Sequence, residues 1–154
     1  DRIANTVAVY HQFPGPSIVV DMGTATKFEV VTADGLFAGG VIAPGLRLAA
    51  DALASRAAQL RSIPLQAPPQ LIGRNTIHAM QSGLILGYAA MVDTMVARLI
   101  DEHPDNGRTP IIVVGTGGNI NLVADHLSVL DAVDPWLTLN GLRLVSDRLH
   151  KETL

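Results

Sequence analysis

The residues best suited to chemistry are Asp21, Gly23, Thr24 and Thr26, which follow directly on the apolar run Ile18-Val19-Val20. A β-branched run of this kind favours a strand covered on both faces. Asp21 then places a carboxylate at the strand's end, where it can hold a cation. Gly23 has no side chain, so a ligand can approach the backbone there. Thr24 and Thr26 offer hydroxyls, and Ala25 stays small. This switch from apolar to polar suits a phosphate or metal site; the plainer reading is a strand followed by a tight turn.

A second glycine-rich turn, Gly115-Thr116-Gly117-Gly118, follows the run Ile111-Ile112-Val113-Val114 and precedes a short helical segment. Bare backbone at a helix start lets an anionic or flat ligand lie against the chain. It is not a dinucleotide fingerprint, because the third glycine would fall at Ile120. Alone it reads equally well as a structural turn. Paired with the Asp21 turn it gains meaning, since two glycine-rich strand ends in one sheet can open on a common edge and flank one nucleotide. Gly39-Gly40 reads either as a bulge or as a place where something comes close. Gly73-Arg74-Asn75-Thr76 reads as a helix cap or as a polar substrate contact.

These turns need elements to position them. Residues 1–12 have a helical stripe of Ile3, Ala4, Val7 and Ala8, with Asp1 at the N-cap. Phe13-Pro14-Gly15-Pro16 breaks it. Residues 17–43 read as a three-stranded meander, with a hairpin turn at Asp34-Gly35. The Asp21 turn thus joins antiparallel strands. A P-loop would need strand, loop and helix with Lys-Ser/Thr, and none is present. A phosphate turn in a meander suggests instead the nucleotide-binding lobe of sugar kinases, actin and Hsp70. A helix over 45–60 carries Leu46, Ala49, Leu53, Ala57 and Leu60 on one face. Residues 61–72 form a Pro-containing loop. A long helix over 76–103, capped by Asn75 or Thr76, has the stripe Ile77, Met80, Leu84, Tyr88, Met91, Met95 and Leu99. Its Gly83 and Gly87 would admit a close neighbour. A strand at 110–114, a short helix at 119–126, a turn at Asp134-Pro135 and a helix at 137–149 complete the chain.

Composition excludes much. The 154 residues suffice for one domain with a core. Hydrophobic residues make up 48% and charged ones 16%, which excludes a disordered tail and is consistent with burial against a partner. A net charge of −3 without basic runs lacks the footprint of a nucleic-acid binder. With no cysteine there are no disulfides or thiolate metal sites, which suits a reducing cytoplasm. The most apolar window, 83–92, ends at Asp93, short of the roughly 20 residues of a membrane span, so no membrane is expected. The histidines show no ligand spacing and read as surface or supporting residues. Trp136 reads as a packing residue.

The strings Asp-Met-Gly-Thr-Ala-Thr (21–26), Gly-Gly-Val-Ile-Ala-Pro-Gly (39–45), Gly-Arg-Asn-Thr (73–76) with Met80-Gln81-Ser82-Gly83, and Gly-Thr-Gly-Gly (115–118), in this order, resemble type III pantothenate kinase. Asp1-Arg2 looks like the second half of that family's Gly-Ala-Asp-Arg motif, and Asp134-Pro135 with residues 137–142 resembles its closing segment. The resemblance implies an α/β, ribonuclease H-like (actin-like ATPase) lobe: a three-stranded antiparallel meander extended by parallel strands, with helices on both faces. It implies ATP-dependent phosphorylation of pantothenate, the first step toward coenzyme A, in a cytoplasmic homodimer. By the same resemblance Asp1 is the general base, and Asp1, Arg2 and Thr76 bind pantothenate. Gly23 and Thr24 contact ATP phosphates, and Gly117 and Gly118 the adenosine. Asp21 holds potassium or ammonium, and magnesium accompanies the nucleotide. A carboxylate at a helix N-terminus stays ionised, and it can accept a proton late in transfer if it hydrogen-bonds the hydroxyl directly. Lys27 and Glu29 depart from the Thr and Asp more often expected. The family's preceding lobe, with its Asp-x-Gly-Asn-Thr loop, has no counterpart here. The chain is therefore expected to be the C-terminal lobe, inactive or nearly so by itself. Other kinases or phosphohydrolases of the superfold, and a non-catalytic regulatory module, are the alternatives.

Overall fold

A computed structural model describes residues 2–56 and 60–152. Five strands form one mixed sheet. β1 (Ser17–Met22), β2 (Ala25–Val31) and β3 (Phe37–Pro44) make the antiparallel meander, and β4 (Ile112–Thr116) and β5 (Ala132–Val133) extend it in parallel. The strand order is β3-β2-β1-β4-β5, so β1 sits at the centre. The meander, its Asp34-Gly35 turn and the parallel extension agree with the sequence reading. The short β5 does not appear there. Gly35 takes φ +82°, which the turn requires. The Gly39-Gly40 pair does accompany a bulge: Val31 pairs with Phe37 and Val30 with Gly39, leaving Ala38 over.

Helices cover both faces. α1 (Arg2–Gln12) and α5 (Leu137–Glu152) pack on one, around Val9, Val19, Val31, Val114 and Leu137. These two helices approach backbone to backbone, since a Cβ on Gly141 would lie 1.9 Å from the Ala4 carbonyl oxygen. On the other face lie α2 (Leu46–Arg56), α3 (Thr76–Gln81) and α4 (Tyr88–Glu102). Their core includes Ile18, Val20, Met22, Phe28, Leu46, Leu84, Ile85, Val92 and Val96.

The long helix is continuous as expected, but a π-helical turn, Ser82–Gly87, joins α3 to α4. The wider turn shifts the buried stripe. Met80, Leu84, Ile85, Tyr88, Ala89, Val92 and Val96 are buried, whereas Ile77 is exposed and Met91, Met95 and Leu99 only border the core. Gly83 and Gly87 are exposed, and no neighbouring element among the described residues packs closely on either of them. The helix extends past Asp93, so it runs to 27 residues and contains an 18-residue stretch of mean hydropathy 1.5, long and apolar enough to cross a membrane by length and composition alone. Its apolar stripe is nevertheless packed on the sheet.

Other differences are local. In α2 only Leu46 is buried and Leu53 is exposed; residues 57–59 lie outside the described residues. The short helix expected at 119–126 is two 3-10 turns, Ile120–Leu122 and Ala124–His126. Trp136 is 65% exposed rather than packed. His103 is buried in a supporting role: its Nε2 bonds to the Val31 carbonyl, and its Nδ1 accepts from the Asp105 amide. The Asp105 carboxylate in turn accepts from the Ala33 amide, holding the β2–β3 turn.

Candidate active site

Period-two alternation along β1 sends Ile18, Val20 and Met22 toward α4 and leaves Asp21 facing α1. Register then chooses its neighbours. Asp21 stands opposite Lys27 on β2 and opposite Thr116 on β4. The Lys27 ammonium lies 2.7 Å from Asp21 Oδ2. Asn5 of α1 donates through Nδ2 to Glu29 Oε2 at 2.9 Å, and more weakly to Asp21 Oδ2 at 3.4 Å. Asn5 Oδ1 accepts from the Thr138 hydroxyl of α5 at 2.7 Å. One asparagine therefore ties both helices of this face to both carboxylates.

Glu29 is 1% exposed, and its Oε1 has no hydrogen-bond partner among the described residues. Burial pushes its carboxyl above the usual range; the Asn5 bond and the Lys27 charge oppose that, and the Asp21 charge adds to it. A carboxyl with a raised pKa binds its proton more tightly folded than unfolded. Its contribution to stability is therefore full in acid and declines as pH rises through the ordinary value of 4.5 toward the folded one. Glu29→Gln removes that decline while keeping an acceptor for Asn5. The melting temperature of the variant relative to wild type is expected to improve as pH rises from 4.5 to neutrality. The slope is at most about 1.4 kcal/mol per pH unit. A difference independent of pH would contradict this.

The two glycine turns meet at the same edge. Gly117 has φ +94°, and a Cβ there would lie 2.7 Å from Asp21 Oδ1 and from the backbone of Met22. Next to it, the Asn119 amide donates to the Met22 carbonyl at 3.0 Å, and its Nδ2 donates to the Gly23 carbonyl at 3.2 Å. Arg47 Nε reaches from α2 to Asn119 Oδ1 at 2.9 Å. Gly45 packs beneath the first turn, where a Cβ would come 2.1 Å from the Thr24 carbonyl oxygen. Thr26 is anchored below by Tyr88, whose hydroxyl donates to the Pro44 carbonyl at 2.6 Å. Above this base Thr24 and Gly118 are exposed and Gly23 and Gly117 half-buried. The edge thus presents backbone and hydroxyl groups, with one carboxylate set between the turns.

The remaining expected residues are less closely grouped. Arg2 is exposed on α1 and borders a pocket of about 90 Å³ with Lys27, Glu29 and Gly40. Thr76 is exposed at the start of α3 and shares no hydrogen bond with the Asp21 cluster; the cap is Asn75, whose side chain accepts from the His78 amide. Asp1 lies outside the described residues. A larger pocket of about 320 Å³ lies between α2 and the loop before α3, lined by Arg47, Ala50, Asp51, Ile63, Met80 and Leu122. Sequence reading missed Asn5, Arg47 and Asn119 and gave Lys27 no partner. Lys27 and Glu29 alternate with Phe28 and Val30, and that alternation is the available signal that both charged residues share one face of β2.

A family model described as type III pantothenate kinase matches residues 1–98. The chain belongs to that family. A type III pantothenate kinase of Acidothermus cellulolyticus is 48% identical over 148 residues, covering 96% of this chain and 56% of the relative. One from Roseiflexus sp. is 50% identical over 145 residues, covering 94% and 55%. The chain therefore spans about half the length of these curated relatives. Among solved structures, a Campylobacter jejuni protein described as a Baf family transcriptional activator superposes with TM-score 0.62 at 18% identity, covering 96% of this chain and 65% of that one. The activator of 2-hydroxyisocaproyl-CoA dehydratase from Clostridium difficile, with bound ADPNP, gives 0.60 at 14%, covering 98% and 67%. At such identities the likeness speaks for the fold, which is the actin-like, ribonuclease H-like fold expected from the meander.

Proposed function

We propose that this chain supplies one lobe of an ATP-dependent pantothenate kinase, which forms 4'-phosphopantothenate at the first step of coenzyme A biosynthesis. The observation that carries this reading is the meeting of two glycine turns around Asp21 at one sheet edge, in a chain of this family. Phosphoryl transfer asks for positioning and charge stabilisation more than for covalent chemistry. Gly23 and Thr24 would receive the ATP phosphates on bare backbone and hydroxyl. Gly117 and Gly118 would line the adenosine; the pocket beside Arg47, which bonds Asn119 of the same turn, has roughly 320 Å³, in the usual range for small ligands. Asp1 would take the proton from the pantothenate hydroxyl, and Arg2 and Thr76 would hold that substrate.

Magnesium would arrive on the nucleotide, with phosphate oxygens and water as its main ligands. Among the described residues no group of three acidic, histidine or cysteine side chains could cage a metal. A separate potassium or ammonium ion at Asp21 does not fit this arrangement, because the Lys27 ammonium already lies against that carboxylate. A second lobe, of about domain size, would close the cleft from the opposite side. Exposed Ile3 and Tyr10 on α1 and Leu139 and Leu142 on α5 are apolar surface that a homodimer contact would cover.

The test is ATP-dependent phosphorylation by this chain, assayed alone and combined with the N-terminal lobe of a relative. Pantothenate, a hexose and acetate would be offered in parallel. Turnover of pantothenate only, and only with both lobes, is expected. Preference for hexose or acetate would overturn the substrate, and full turnover by the chain alone would overturn the two-lobe reading.

A further inference from the structure

We propose that Lys27 is a built-in monovalent cation: its ammonium takes the place at Asp21 that a free potassium or ammonium ion would otherwise fill. The placement follows from register. Asp21 and Lys27 are direct cross-strand partners on the α1 face of the sheet, and the ammonium lies 2.7 Å from Oδ2. The Lys27 side chain is only 18% exposed and that of Asp21 9%, so the pair is largely withdrawn from solvent. The carboxylate has little room for another cation. Asn5 already approaches Oδ2, and Oδ1 is turned against the backbone of Gly117. A free ion there would have its charge beside the ammonium, facing a carboxylate that is already neutralised. A lysine head group also has the charge and the donor character of ammonium itself, delivered on a tether from β2. Lys27 thus acts as a positioning residue: it holds Asp21 in place and balances its charge beside the phosphate turn, without touching substrate.

This inference rests on the kinase reading only for the expectation of a cation at Asp21, and its test reads ion binding rather than catalysis. Melting of the protein would be followed in potassium, ammonium and tetramethylammonium chlorides at matched ionic strength, together with thallium-205 resonance of thallous ion as a potassium probe. Wild type should melt alike in all three salts, within about 1 °C, and show no bound thallous ion. In Lys27→Met the vacated carboxylate should recruit a free ion. The melting temperature is then expected to rise in potassium or ammonium over tetramethylammonium by about 2–4 °C, with a bound thallous signal. Lys27→Thr is the second variant should the methionine form not fold. Selective stabilisation of wild type, or thallous ion bound to it, overturns the proposal whatever the variants do. A folded variant that gains no cation response overturns it as well. A failure of either kind leaves pantothenate phosphorylation untouched, and a failure of that activity leaves the cation result standing.

Discussion

Under the proposed kinase function, Asp21→Ala should lower pantothenate phosphorylation by the assembled enzyme about 100-fold, because losing the carboxylate frees Lys27 and unseats the phosphate turn, and displacing one preorganised donor costs on that scale. It should also destabilise the chain by about 3 kcal/mol, because removing one member of a largely buried ion pair strands the other. The stranded group is the Lys27 ammonium, 2.7 Å from Asp21 Oδ2. The two effects are separable. Asp21→Ala combined with Lys27→Met removes both charges, so most of the stability should return while activity stays lost. Urea unfolding of the single and double variants, alongside the phosphorylation assay, checks both. A single variant within about 0.5 kcal/mol of wild type would mean that the pair carries little.

Gly117→Ala should cost about 2–4 kcal/mol and weaken nucleotide binding with it. Two terms add. At φ +94° an L-residue is strained, by about 1 kcal/mol or more. The added Cβ would also lie 2.7 Å from Asp21 Oδ1 and from backbone atoms of Met22, and overpacking of that kind costs about 1–3 kcal/mol. Backbone cannot swing aside as a flexible side chain can, so β1 and the turn must separate. Gly118→Ala is the internal control: a Cβ there meets nothing within 4 Å, and its cost should stay within about 0.5 kcal/mol. Denaturant unfolding of both variants decides the matter. Equal stabilities would remove the close approach on which the shared edge depends.

Much of the architecture was legible in the chain because each element carries its own local signal. The meander is marked by β-branched runs and by Asp34-Gly35, and α1 and α5 by helical spacing. The elements that escaped lack such marks. β5 is two residues long, and Ala132–Val133 looks like any apolar pair until the parallel ladder with Val114 and Gly115 forms. The π-helical turn at Ser82–Gly87 leaves composition unchanged and alters only which residues reach the sheet. The exposed face of α2 looked like a core stripe because apolar spacing says nothing about how much sheet lies beneath it.

The sequence by itself determined the residue types of the two turns, their order, and through them the family. That follows from local chemistry: glycines permit close backbone approach, and hydroxyls and a carboxylate follow a buried strand. Only the tertiary structure decided which groups meet. Asn119 reaches Gly23 across a sequence separation of 96, because β4 lies parallel to β1 and brings both strand ends to one edge. Lys27 faces Asp21, and not solvent, because a six-pair antiparallel register puts them opposite each other on one face. A shift of one residue would have turned every side chain of β2 to the other side.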